Sequence, residues 1–326
     1  MRLTPQWLGH LALAAACIAL AACATDRSDG GTGDGGGAAA PGRPSVAATP
    51  PPPPYSPPAT EVSRDGKRVA GRIAQSLTTY EPGASPQRVA RRVGAGEGAA
   101  SLAQMLEPVV RPGERSTGSV VYPQLGGLTA DAMSVMVVVR QRREAVDGAA
   151  ATETRTFDVR LRLVGGRWEF AELASVGGTP VKRPSGISPA ARAVVDSPRI
   201  ELPDSARWDI YRGEVDEALL ETMADAAKRH SYKVTVLRSG HPYEVFGTAN
   251  PSAHTAGFAV DIYAVDGTAV VDQRATDSPA YRLASSLYSE GVAQLGSPWI
   301  LGAGAPASFS DAVHQDHLHL QKQQVQ

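Results

Sequence analysis

Cysteine is almost missing from this chain: its two cysteines, Cys17 and Cys23, both fall at the very start. No disulfide framework can therefore hold the remainder together. Histidine is missing too, from His10 all the way to His230. Charge of either sign is not in excess, the formal net being −1, so nothing electrostatic argues for a nucleic-acid partner. The apolar run Leu8 to Ala22 is too short to span a membrane comfortably. What is present is 326 residues of ordinary hydrophobic content, enough for about two domains.

Met1-Arg2 gives the apolar run a positive start, which makes it the core of a signal peptide over 1–22. The run ends in Leu20-Ala21-Ala22-Cys23, which resembles the bacterial lipobox. That resemblance implies cleavage before Cys23, acylation of its thiol, and a lipid anchor on the outer face of the cytoplasmic membrane. Ordinary secretion with a chance cysteine is the bland alternative. Residues 23–61 are rich in glycine and acid, then in proline, and cannot bury a core. They read as a disordered tether, stiffening to polyproline II around Pro50 to Pro54, that holds the folded part off the membrane.

Over 62–178 the pattern predicts a small α+β domain. Val69 to Ala74 and Gln87 to Val93 have helical mixtures, and Met133 to Arg140 is β-rich. Phe157, Val159, Leu161 and Leu163 alternate with Asp158, Arg160 and Arg162, the period of a half-buried strand. Gly165-Gly166 makes a tight turn. Helices followed by antiparallel strands resemble the cystatin-like or nuclear-transport-factor-like domains of some secreted bacterial proteins. Without histidine or cysteine, this domain is expected to bind or space rather than to carry chemistry. A linker over 179–199 leads to a last domain over 200–322. There Glu217 to His230 reads as a helix capped by Asp216, Val234 to Leu237 and Phe258 to Tyr263 as strands, and Pro279 to Gly291 as a helix.

Six of the seven histidines lie in that last domain, which points to one site. A catalytic zinc wants three ligands of imidazole nitrogen or carboxylate oxygen. His254 on a turn and Asp261 on the following strand can converge if the chain doubles back through Gly257. His317 and His319 share one face of a strand, and Asp316 belongs to the other unless the backbone turns at the strand mouth. Taken singly, each motif is more often a surface or core decoration; their concentration in one domain favours a metal.

Ser252 to Asp261 matches the "SxHxxGxAxD" motif of the zinc D-alanyl-D-alanine carboxypeptidases and related L,D- and D,D-peptidases, which share the hedgehog/DD-peptidase fold. Asp316-His317-Leu318-His319 matches the closing "[DE]-H-x-H" motif, and the resemblance covers roughly Ile200 to Gln321. It implies an α+β zinc domain with His254, Asp261 and His319 as ligands. Asp316 would be the base that shuttles a proton, His317 would orient or stabilise the oxyanion, and Ser252 would hydrogen-bond behind the ligands. The family's "SGYR" is replaced by Ser239-Gly240-His241-Pro242, so Arg238 either grips the substrate carboxylate instead or faces solvent, and His241 is placed to touch substrate. The implied activity is zinc-dependent hydrolysis of peptidoglycan stem peptides at the cell envelope. The other possibility is a catalytically weak or inactive zinc-containing lipoprotein that binds cell wall.

Overall fold

The computed structural model describes residues 52–94, 98–302 and 307–324. The expected signal peptide, Cys23 and most of the tether lie outside these residues. Among the described residues, no helix is long and apolar enough to cross a membrane.

The first lobe opens with α1 (Arg64–Thr78), whose small residues Ala70, Gly71 and Ala74 form a stripe at helical spacing with Lys67 on the same face. Then come α2 (Pro86–Ala90), capped by the Ser85 hydroxyl, and α3 (Ala99–Met105). Four strands follow as an antiparallel meander: β1 (Glu114–Leu128), β2 (Ala132–Ala145), β3 (Ala150–Val164) and β4 (Arg167–Ser175). Gly165 and Gly166, both at positive φ, close the last hairpin. Leu125, Val135, Val137, Phe157 and Val159 belong to the lobe's apolar core with residues of α1. Strand alternation sends Gln124, Ser134, Thr156 and Asp158 to the opposite face. That face is not solvated: all four residues are fully buried. Leu163, which the alternation places in the core, is partly exposed beside the turn.

The second lobe is a mixed sheet under helices. Its elements are α4 (Pro189–Val195), β5 (Ile200–Glu201), α5 (Asp204–Tyr211), α6 (Glu217–Arg229), β6 (Tyr232–Val236) and β7 (Ala259–Val265). The chain continues through β8 (Thr268–Ala269), α7 (Pro279–Ser289), β9 (Gln294–Gly296), β10 (Ser308–Phe309) and β11 (Leu318–Gln321). The sheet order is β10-β9-β11-β7-β6-β5, with β8 paired to β7. The Asp216 carboxylate accepts from Leu219 N at 3.1 Å to start α6, and the Ser278 hydroxyl starts α7 in the same way. The architecture is α+β.

Two expected boundaries move. The segment 179–199 is not wholly linker: Ser188 and Pro189 start α4, and Ala190, Ala191, Val194 and Val195 enter the second core. The end of the tether is not free either. Gln75 Nε2 donates to Pro53 O at 3.1 Å, Tyr55 N donates to Gln75 Oε1 at 3.1 Å, and the Tyr55 ring covers Gly71, where a Cβ would stand 2.6 Å from it.

The described residues belong to one compact unit, because the polar face of the meander is covered by the second lobe. Thr156 Oγ1 donates to Thr235 O at 2.6 Å, Thr154 N donates to Asp204 Oδ2 at 2.7 Å, and the Tyr122 and Tyr263 rings stack at 4.6 Å. Arg155 lies over the Trp208 ring at 4.6 Å. Gly240, at φ 108°, lets the two backbones meet, since a Cβ there would sit 2.6 Å from Thr156 O.

Candidate metal centre

Strand pairing builds most of the centre. β7 and β11 are antiparallel, with Asp261 directly opposite His319. His254 arrives from the turn just before β7. There Thr255 N donates to Ser252 O, Gly257 N to His254 O and Phe258 N to Ala253 O, which folds the chain back on itself. Gly257 adopts φ 75°, and a Cβ on it would lie 2.2 Å from Glu214 O. Gly257→Ala should therefore cost more than about 2 kcal/mol, combining left-handed backbone with a steric clash. Denaturant unfolding checks this; a loss within 0.5 kcal/mol, roughly the range of ordinary surface changes, would show that the turn yields.

The His254 ring is wholly buried, and its Nδ1 donates to Leu237 O at 2.5 Å, so the lone pair sits on Nε2. That nitrogen lies 3.2 Å from Asp261 Oδ1 and 3.2 Å from His319 Nδ1, while His319 Nδ1 and Asp261 Oδ1 are 2.9 Å apart. Three donors at these separations fit a tetrahedral zinc, whose bonds near 2.0–2.1 Å set neighbouring ligands about 3.3 Å apart. His241 joins the group from the other side. Its ring stacks on His254 at 3.9 Å, its Nδ1 faces Pro242 O at 2.8 Å, and His241, His254 and Asp261 offer ligand atoms within 4.8 Å of one another. His241, expected to touch substrate, thus lies among the possible metal donors. Ser252 is buried at the head of the turn, and its Oγ accepts from His254 N at 3.3 Å.

The closing motif begins in the bend ahead of β11, which takes in only Leu318 and His319 of it. His317 is buried and turns Nε2 toward Asp261 Oδ2 at 4.0 Å. Asp316 faces away. Its Oδ1 accepts from His317 Nδ1 at 2.6 Å, while its Oδ2 pairs with Lys67 Nζ and accepts from Leu125 N at 2.9 Å. Both oxygens are committed and the residue is fully buried, so Asp316 does not meet the metal donors as the expected proton shuttle must. Arg238 does not reach them either. Nη1 pairs with Glu214 at 2.7 Å and Nε donates to Thr255 O at 3.0 Å, beside a second groove that His241 also lines. The "SG" that follows it serves structure: Asp209 accepts from Arg238 N, Ser239 N and the Ser239 hydroxyl.

Charge is arranged to keep the two carboxylates ionised. Burial pushes Asp261 up, but the His254 and His317 imidazoles beside it, with His319 against its Oδ1, hold it well below the usual range. Burial is likewise outweighed at Asp316, where the Lys67 charge and the His317 hydrogen bond bring it to about 2. Burial lowers His319 to about 4 and His241 further, which leaves both as neutral donors. His317 is raised despite its burial, because Asp261 and Asp316 favour its charged form.

A cavity of about 300 Å³ opens onto the centre. His317, His319 and His314 form one wall, Val245 and Phe246 another, and Leu125, Gly126 and Met136 of the first lobe a third. Sequence reasoning missed Lys67, Gln124 and Leu125. A lysine on the apolar stripe of α1 was the available signal for the first of these. No family model matches the chain, and comparison with curated proteins and with solved structures returns no match either.

Proposed function

We propose that this chain is a zinc peptidase with a hedgehog/DD-peptidase-like second lobe, hydrolysing amide bonds of peptidoglycan stem peptides. The observation that carries the reading is the triangle of His254 Nε2, Asp261 Oδ1 and His319 Nδ1, with edges of 2.9–3.2 Å, at the base of an open cleft. Bound there, zinc would activate a water and polarise the scissile carbonyl.

The chain's own groups do the rest. His317, its Nδ1 held by Asp316, presents Nε2 to the cleft and moves the proton from the attacking water to the leaving amine. Asp316 fixes the tautomer of that ring and stabilises its charged form, which replaces the direct base role expected from the motif. Leu125, Met136, Val245 and Phe246 supply apolar walls that limit water. Lipidation at Cys23 would tether the enzyme where such peptides lie.

Digestion of purified peptidoglycan by the full mature chain, with products identified by mass, tests the reading. Cleavage of one amide type is expected, along with about one zinc per chain, and is lost to chelator and restored by zinc. Zinc binding without any product, alongside measurable affinity for cell wall, would instead favour a cell-wall-binding protein.

A further inference from the structure

The first lobe, barren of histidine and cysteine, nevertheless reaches the metal donors. Gln124, on β1, is fully buried, and its Nε2 donates to Asp261 Oδ2 at 2.6 Å. An aspartate can offer a metal either oxygen or both. With Oδ2 occupied by an amide N–H, Oδ1 alone is left to face His254 and His319. The other end of the same amide, Gln124 Oε1, is buried without a hydrogen-bond partner among the described residues. Such an orphaned acceptor is costly, and an apolar side chain like its neighbour across the sheet face, Met136, would avoid it. The amide is therefore accounted for by the aspartate, not by packing.

A second set of first-lobe groups grips the segment leading into β11. Lys67 and Leu125 N hold the Asp316 carboxylate, and the Tyr122 hydroxyl donates to Asp316 O at 3.3 Å. β1 is the edge strand of its sheet, and the Leu125 N–H that an edge would waste on solvent is satisfied by Asp316. Both carboxylates behind the cleft, the ligand of the proposed centre at 261 and the orienter of His317 at 316, are thus held from behind by groups of α1 and β1.

We propose that the first lobe is the supporting wall of the metal centre and that Gln124 is a positioning residue, which restricts Asp261 to ligation through Oδ1. This rests on the zinc reading above. Zinc affinity then depends on a residue more than a hundred positions away from the nearest ligand in sequence, contributed by the other lobe.

The test is a competition titration of zinc against a chromogenic chelator, on the full mature chain and its Gln124→Met and Gln124→Leu variants, with melting of each metal-free protein alongside. Loss of a group that orients a metal ligand should weaken zinc binding about 10- to 100-fold. A purely structural glutamine would lower the metal-free melting temperature and leave the affinity alone. Affinity within about twofold of wild type in a folded variant overturns the inference while zinc binding itself stands. Wild type that takes up no zinc overturns the zinc reading, and the inference with it.

Discussion

Replacing His317 by alanine should lower kcat by about 10²- to 10⁴-fold, the worth of a positioned general acid–base group, while the protein keeps its zinc. The geometry separates this residue from the donors. Its Nε2 stands 4.0 Å from Asp261 Oδ2, whereas the three closest donor atoms lie 2.9–3.2 Å from one another. Its Nδ1–H is spent on Asp316, which leaves Nε2 as the nitrogen able to take a proton from water. Asp316, which accepts from Nδ1 and does not ligate the metal, favours the ring's charged form, so the proton once taken has a stable resting place. Added imidazole should restore part of the lost activity by entering the vacated space. It should do nothing for Asp316→Asn, in which the ring remains but its tautomer is no longer enforced. Kinetics on peptidoglycan fragments, with zinc content measured on the same samples, decide the matter. A His317→Ala enzyme within tenfold of wild type would return the base role to another group.

Much of the centre could be read from the chain because its parts are local. His254 and Asp261 are seven residues apart around Gly257, and both motifs obey rules of turn and strand that need no knowledge of the rest of the fold. The direction of Asp316 was not: it lies in the bend ahead of β11, where alternation is no guide, and its carboxylate turns to Lys67 and Leu125 while still accepting from His317 Nδ1. What could not be read is whatever the fold brings from far away. Gln124 and Asp158 sit in alternating strands whose polar face has the pattern of a solvated surface, and only the docked second lobe makes that face an interior. Lys67 likewise has the composition of a surface residue. Its position on the buried stripe of α1 is a local sign of burial, but its partner lies 249 residues on. The contacts between the lobes are hidden for the same reason: composition marks two cores, and it contains no record of what joins them.

Lys67→Met should destabilise the fold by about 3–5 kcal/mol at neutral pH, the usual cost of stripping one partner from a buried ion pair. The lysine is completely buried between Glu61 and Asp316, both themselves buried, and methionine keeps most of its stem while removing the charge. What remains is two carboxylates in a dry interior with no cation between them. Leu125 N and His317 still hydrogen-bond Asp316, so the loss should not exceed this range. The pH dependence gives the prediction its sign. In wild type Asp316 titrates at about 2, against an ordinary value near 4, so its contribution is full above about pH 4 and drains as pH falls toward 2. In the variant the same carboxyl lacks its cation, its folded pKa rises, and protonation at low pH relieves the burial. Glu61, already raised by burial, behaves likewise. The gap between wild type and variant should therefore be widest near pH 7 and narrow steadily toward pH 3. Urea unfolding of the metal-free proteins across that range measures it. A gap below about 1 kcal/mol at pH 7, the size of an exposed pair, or one unchanged at pH 3, would mean that the lysine does not hold these carboxylates as charges.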